Sequence, residues 1–71
     1  MEDTEWLKIG QNIARIRKNK GATLESITSK MGRTPQWLSN IEKNRRSIES
    51  TDLYKISQIL GVDIEHFFKN S

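Results

Sequence analysis

Three hydrogen-bonding side chains are grouped in the segment TPQWLSNIE, residues 34–42, where a helix would bring them near one face. With successive residues about 100° apart, Gln36 and Asn40 fall about 160° and 200° from Leu38. Gln and Asn amides pair bidentately with the N6 and N7 edge of adenine in the DNA major groove, which admits a helix. Ser39 flanks this face and suits a base or a phosphate. The pattern predicts a helix that reads bases; the alternative is three ordinary solvent-facing residues.

Basic residues lie on both sides of this segment. Arg33 precedes it, and Lys43, Arg45 and Arg46 end or follow the helix. Because helix N-termini and basic side chains attract phosphates, this arrangement favours DNA binding over an ordinary solvated face. Trp37 lies on the flank of the helix, and its position leaves two interpretations open, packing in the core or contact with a sugar or a thymine methyl.

The net charge of +3 is unevenly distributed along the chain. Residues 1–7 contain three acids and no base, residues 8–46 contain ten bases and two acids, and residues 47–71 contain two bases and four acids. A basic middle between acidic ends is expected of a protein that binds a polyanion through one face. The alternative is that the lysines and arginines only solvate helix surfaces.

The bulk composition excludes several classes of protein. With 71 residues and no cysteine, we expect one domain over residues 1–71, stabilised by packing rather than by disulfides or thiolate metal sites. The apolar runs are too short for a membrane span or a signal peptide, which predicts a cytoplasmic protein with no membrane partner. His66 is the only histidine, and the acids show no catalytic or metal-ligand spacing. We therefore predict no enzymatic activity, metal, cofactor or small-molecule ligand.

Helices must position these residues, because apolar side chains recur at steps of three and four and no segment alternates like a strand. We predict an all-α fold, a compact bundle of five short helices. The expected core residues are Trp6, Ile9, Ile13, Ile16, Leu24, Ile27, Met31, Leu38, Ile41, Leu53, Ile56 and Leu60. The expected boundary residues are Gly21, Thr23, Gly32, Thr34 with Pro35, Asn44, Ser50 or Thr51, Gly61 and Asp63.

The order of several short motifs resembles the lambda-repressor-like, Cro/Xre-type helix-turn-helix DNA-binding domains over residues 9–68. The motifs are IxxIR, a capping Thr, the Gly32 turn, LSNIE, LxxI and LGV. The resemblance implies that helices 2 and 3, about residues 23–43, form the helix-turn-helix, with the recognition helix at about 34–43 in the major groove. Ile48 and the FF pair are similar to restriction-modification controller proteins, small stand-alone members of the family.

The resemblance also implies roles for individual residues. The implied base-reading positions are Pro35, Gln36 and Asn40, with Ser39 and Trp37 as neighbours. The implied phosphate contacts are Thr23, Asn44, Arg45 and Arg46. Arg17 and Glu42 match an internal ion pair that braces the first helix against the third. Two departures are Leu24, which replaces a polar phosphate-binding residue, and Pro35, which cannot donate a hydrogen bond to a base.

One recognition helix reads too few base pairs for selectivity, so such domains usually pair on two half-sites. The apolar C-terminal part is the expected homodimer interface, with Tyr54, Val62, Ile64, Phe67 and Phe68. The alternative is that one phenylalanine closes the bundle and the other is exposed. We predict a homodimeric, sequence-specific regulator of transcription, for instance a repressor, that binds double-stranded DNA. The competing hypotheses are a helical protein-interaction module, such as an antitoxin-like or adaptor domain, and a piece of a longer, ligand-sensing regulator.

Overall fold

The computed structural model describes the backbone of residues 5–68 and the side chains of residues 9–68. The elements are α1 (Glu5–Asn19), α2 (Leu24–Met31), α3 (Pro35–Glu42), α4 (Ser50–Leu60) and a 3₁₀ helix (Ile64–Phe67). The described residues contain no strand, so the all-α prediction is confirmed for this part of the chain. The fifth predicted helix is not an α-helix, because its four residues form only a single 3₁₀ turn.

The two helices at the centre of the chain begin and end at residues predicted from their local chemistry. The Thr23 hydroxyl accepts from the Ser26 backbone N–H at 3.0 Å, and the Ser26 hydroxyl oxygen accepts from the Thr23 N–H at 3.1 Å. This reciprocal capping box starts α2. Gly32 ends α2 in the left-handed conformation, with φ of 70°. The Thr34 hydroxyl then accepts from the Trp37 N–H and starts α3.

The start of α4 differs from the prediction. Ser50 and Thr51 were expected as caps, but both lie inside the helix, and the capping position is held by Glu49. The Glu49 side chain makes no capping hydrogen bond, and its carbonyl accepts from the Leu53 N–H at 2.9 Å. The acidic Asp52 in the first turn supplies negative charge near the positive helix N-terminus, which reduces the need for a side-chain cap. The last predicted cap, Asp63, has extended backbone angles but also makes no side-chain capping bond.

The core forms where α1 contacts α3 and the 3₁₀ helix, while α2 packs on α3 and α4. Its buried apolar residues are Ile9, Ile13, Ile16, Ile27, Trp37, Leu38, Ile41, Leu53, Ile56, Leu60 and Phe67. The predicted core residues Leu24 and Met31 are only partly buried at its edge, and the side chain of Trp6 lies outside the described residues. A buried amide, Asn12, joins the two ends of the fold by donating from Nδ2 to the Phe67 carbonyl at 2.7 Å.

Helices α1 and α3 approach each other closely at Gly10. A Cβ atom built on Gly10 would lie 2.2 Å from the Ile41 carbonyl oxygen and 2.9 Å from Asn44 Oδ1. Only glycine therefore fits here without moving one helix, a requirement that the sequence analysis missed. Gly10 thus sets the distance between α1 and the C-terminal end of α3.

No helix in the described part of the chain is long and apolar enough to cross a membrane.

Candidate nucleic-acid interface

Helix α3 has a buried face and an open face, as its periodicity predicted. Leu38 and Ile41 are buried in the core, whereas Gln36 is exposed and Asn40 is half-buried. The Gln36 Nε2 amide donates to Asn40 Oδ1 at 3.1 Å across one helical turn. Two amides that can bond base edges are therefore held side by side on the open face.

The open face of α3 borders a shallow surface depression of about 400 Å³. Its lining residues are Gly32, Arg33, Thr34, Gln36, Trp37, Asn40 and Arg46. The depression thus combines two amides, one hydroxyl and two guanidinium groups. Both guanidinium groups are potential phosphate ligands, and the amides are potential base ligands.

Trp37 packs in the core, which favours the first of its two interpretations. Its exposed fraction is 8%, and it belongs to the cluster of buried residues that includes Leu38 and Ile41. The Arg33 guanidinium carbon lies 4.6 Å from the centroid of the Trp37 ring, a distance suited to a cation–π contact. The predicted role of Trp37 as a DNA contact stays a prediction, limited to the small exposed part of the side chain that lines the depression.

Arg33 is held by an ion pair that the sequence analysis did not predict. Its Nη2 atom lies 2.9 Å from Oδ2 of Asp52, in the first turn of α4. The Asp52 side chain is 10% exposed and the Arg33 side chain 42%. The two residues are 19 positions apart in different elements, so no local pattern indicated the contact. Arg33 links the α2–α3 turn to α4 and still has an open side.

The basic segment after α3 is exposed at Lys43, Arg45 and Arg46. Asn44 lies between them with φ of 63°, the left-handed conformation predicted for it. Its Oδ1 atom is buried without a hydrogen-bond partner. The amide oxygen of Asn44 is therefore turned away from solvent, and a phosphate could approach this residue only through its remaining donors.

The predicted pair of Arg17 and Glu42 forms a bidentate ion pair. Nε of Arg17 donates to Oε2 of Glu42 at 2.7 Å, and Nη2 donates to Oε1 at 3.0 Å. The third contact runs from Nη1 to the Ala22 carbonyl at 2.9 Å. Both charged side chains are about nine-tenths buried. Arg17 in α1 therefore fixes both the end of α3 and the residue that precedes the α2 cap.

The remaining predicted contact residues lie around the same helices. Thr23 is exposed, and its hydroxyl oxygen caps α2. Pro35 is exposed at the first position of α3, where its lack of an N–H costs nothing. Ser39 is half-buried. His66 is exposed, and no group of three or more potential metal ligands occurs among the described residues.

The residues predicted for a dimer interface do not all lie on the surface. Tyr54 and Phe68 are 53% and 49% exposed, whereas Phe67 is fully buried. The prediction was wrong for Phe67, because this ring closes the bundle against α1 and α4 and has no surface left for a partner. Val62 and Ile64 are partly buried at the edge of the core.

A second depression of about 560 Å³ lies on the outer side of α4. Its lining residues are Ser50, Thr51, Tyr54, Lys55, Gln58 and Ile64. Tyr54 forms part of its wall, with the hydroxyl accepting from Gln58 Nε2 at 3.1 Å. This depression joins two residues of the predicted dimer surface, Tyr54 and Ile64.

Over residues 5–68 the architecture is all-helical. Helices α2 and α3, joined by the three residues 32–34, pack against each other and leave one face of α3 open. The chain belongs to the helix-turn-helix domain family, which it matches over residues 10–71. The expected membership in a helix-turn-helix family is thereby confirmed.

Two kinds of curated relatives are similar to the chain. It is 41% identical over 54 residues to the uncharacterized HTH-type transcriptional regulator y4dJ of Sinorhizobium fredii, covering 76% of this chain and 70% of the relative. It is 39% identical over 57 residues to the HTH-type transcriptional regulator SinR of Bacillus subtilis and to that of Bacillus licheniformis. These alignments cover 79% of this chain but only 51% of each SinR protein. No solved structure matches the chain significantly.

Proposed function

We propose that the protein is a transcriptional regulator that binds double-stranded DNA in a sequence-specific manner, with α2 and α3 as its helix-turn-helix. Its family and its similarity to HTH-type transcriptional regulators support DNA binding. The observation that carries the proposal is the pair of amides on the open face of α3, bordered by Arg33 and Arg46. Base-reading groups flanked by phosphate-binding groups are what a recognition helix in the major groove requires.

The hydrogen bond between the two amides restricts what each can read. Gln36 uses one N–H on Asn40 and keeps its carbonyl oxygen and its other N–H, the set that pairs with N6 and N7 of adenine. Asn40 has one acceptor engaged and keeps its two N–H donors, which suit guanine O6 and N7 or thymine O4. We therefore propose that Gln36 recognises adenine and that Asn40 donates hydrogen bonds to acceptor atoms of guanine or thymine. The second lone pair of Asn40 Oδ1 leaves bidentate pairing of Asn40 with adenine as the alternative.

Phosphate contacts in the proposed complex come from both ends of the helix-turn-helix. Lys43, Arg45 and Arg46 follow α3 on an exposed segment, and the α2 N-terminus at Thr23 offers backbone N–H groups. Each neutralised phosphate adds about 0.9 to the slope of log affinity against log salt concentration. These contacts give affinity and orientation, while the two amides give selectivity.

The regulator would bind its operator as a homodimer through the C-terminal part. Half-exposed Tyr54 and Phe68, together with the partly buried Val62 and Ile64, support an apolar surface for a second copy. Two recognition helices would then meet half-sites about 34 Å apart, one turn of DNA. Phe67 contributes by packing the core under this surface.

The test is selection of bound sequences from a randomised duplex pool at two salt concentrations. We expect a two-fold symmetric motif and an affinity that falls steeply as salt rises. Gln36→Ala should relax selectivity at one base position of each half-site, by about 1–3 kcal/mol. Arg46→Ala should weaken binding to all sequences and lower the salt slope by about 0.9. Lys30→Ala is the charge-matched control, since Lys30 is exposed at the opposite end of α2 from Thr23.

A second candidate function is protein binding through the surface of Tyr54 and Phe68, whose exposure would also suit another protein. The same selection separates the two functions. Retention of DNA without any motif, or selectivity unchanged in Gln36→Ala and Asn40→Ala, would contradict the proposed recognition helix and favour the protein partner.

A further inference from the structure

Arg33 differs from the other basic residues around α3 because two side chains hold its guanidinium group. The Trp37 ring covers one face at 4.6 Å, and Asp52 accepts a hydrogen bond from Nη2 at 2.9 Å. Within the described part of the chain, Arg45 and Arg46 have no ion pair. Arg33 is therefore a cation held by two side chains in the depression beside α3, which Arg46 lines without such a restraint.

The Asp52 carboxylate has a strong physical reason to keep this contact. Its residue is only 7% exposed, and a buried charge without a partner is costly. Arg33 is the ion-pair partner that the structure assigns to it. Arg33 itself is less dependent on the contact, because its side chain is 42% exposed and a guanidinium has five N–H donors, of which Asp52 engages one. Arg33 also lines the depression that Gln36 and Asn40 line.

We infer that Asp52 and Trp37 hold Arg33 in the orientation in which it binds a backbone phosphate, and that Asp52 is thereby a positioning residue for selective DNA binding. The inference rests on the proposed function. An unrestrained arginine can follow a phosphate in many registers of the protein on the duplex. A fixed arginine meets a phosphate only when α3 is docked in one register, so its contact favours the operator over other DNA.

The charge of Asp52 has a separate effect that does not distinguish one duplex from another. A carboxylate near the interface weakens the electrostatic attraction between the protein and any DNA by a similar factor. Replacing Asp52 with asparagine keeps the size of the side chain and an oxygen that can accept from Arg33, but removes the charge that fixes the guanidinium.

The experiment measures affinity for the selected operator and for a random duplex of equal length, at several salt concentrations. In Asp52→Asn we expect the ratio of the two affinities to fall roughly 2- to 10-fold, the effect of ordering one long side chain. Affinity for the random duplex should rise. In Arg33→Met, which keeps an apolar contact with Trp37, the salt slope should fall by about 0.9 for operator binding.

The control for charge is Glu49→Gln, which removes one negative charge from an exposed residue three positions before Asp52. It should raise affinity for both duplexes alike and leave their ratio unchanged. In the Arg33→Met background, Asp52→Asn should also leave the ratio unchanged, because the restrained group is absent.

Thermal unfolding of each variant fixes a temperature at which all are folded. If Asp52→Asn does not fold, Trp37→Phe replaces it, since a smaller ring weakens the cation–π contact and should lower the ratio less.

Three outcomes would overturn the inference. The first is an unchanged ratio in folded Asp52→Asn, or in Trp37→Phe where that variant replaces it. The second is an equal fall of the ratio with and without Arg33, which would assign the effect to a general distortion of the fold. In both cases the operator motif of the wild-type protein would still support the proposed function. The third is the absence of any motif in the wild-type selection, which would overturn the proposed function together with the inference.

Discussion

Replacing Gly10 with alanine tests whether the close approach of α1 and α3 is a real constraint on the fold. Helix propensity alone predicts that Gly10→Ala raises the free energy of unfolding, because alanine is more favourable than glycine in a helix interior by about 1 kcal/mol. The packing predicts the opposite sign. The added Cβ would lie 2.2 Å from the Ile41 carbonyl oxygen, a backbone atom that already accepts from the Asn44 N–H.

The magnitude follows from the distance that has to be recovered. Ordinary contact begins near 3.4 Å, so one helix must move by about 1 Å or the last turn of α3 must distort. Overpacking of this kind costs about 1–3 kcal/mol, and the upper end applies because backbone lies on both sides of the contact. After the propensity gain of about 1 kcal/mol is subtracted, we expect a net loss of about 2 kcal/mol in the free energy of unfolding.

Thermal and urea unfolding followed by circular dichroism measure this loss. For a domain of this size, about 2 kcal/mol corresponds to a fall in Tm of roughly 8–16 °C. Ala14→Gly, one turn further along α1, is the matched control, and helix propensity alone should lower its free energy of unfolding by about 1 kcal/mol. A Gly10→Ala variant that melts at or above the wild-type temperature would refute the steric argument, since only propensity would then be acting.

Three further predictions concern stability and assembly. Glu42→Gln should lower the free energy of unfolding by about 3 kcal/mol in urea titrations, because it leaves a buried guanidinium without its carboxylate; an effect below 1 kcal/mol would contradict this reading. Phe67→Ala should lower the free energy of unfolding by about 3–5 kcal/mol and unfold most of the protein. Phe68→Ala should leave Tm nearly unchanged and weaken self-association measured by sedimentation. Equal effects of the two variants on Tm would contradict the assignment of Phe67 alone to the core. Thr34→Ala should lower the free energy of unfolding by about 1 kcal/mol because it removes the cap of α3, while Thr51→Ala should change it by less than about 0.5 kcal/mol. A larger loss in Thr51→Ala than in Thr34→Ala would support Thr51 as the cap of α4.

Features that depend on neighbouring residues were predictable from the sequence. Thr23, Gly32 and Thr34 act through backbone groups within four positions, so their roles follow from residue type and local order. The open face of α3 was predictable for the same reason, since helical periodicity alone separates Gln36 and Asn40 from the core. Even the bond between these two amides follows from their spacing of four residues.

Features that depend on distant residues were not predictable without the family resemblance. That resemblance implied the pair of Arg17 and Glu42, but nothing local indicated that Asp52 would meet Arg33 across 19 positions. Gly10 looked neutral in a helical pattern, because its importance comes from a carbonyl in another helix. The cap of α4 was misassigned because Ser50 and Thr51 have better capping chemistry than Glu49, whose side chain makes no capping hydrogen bond.

The bond from Asn12 to the Phe67 carbonyl has a consequence for synthesis on the ribosome. It joins residues 55 positions apart, so α1 is made long before the segment that completes its burial. At about 5–20 residues per second, the ribosome needs roughly 3–11 s to add those residues, whereas small helical proteins fold in microseconds to milliseconds once complete. Until then, the part of the apolar stripe of α1 that packs against the 3₁₀ helix stays uncovered. A nascent chain of this protein should therefore be a substrate for holdase chaperones until Phe67 emerges, and ribosome-bound chains that end before this residue should remain sensitive to protease.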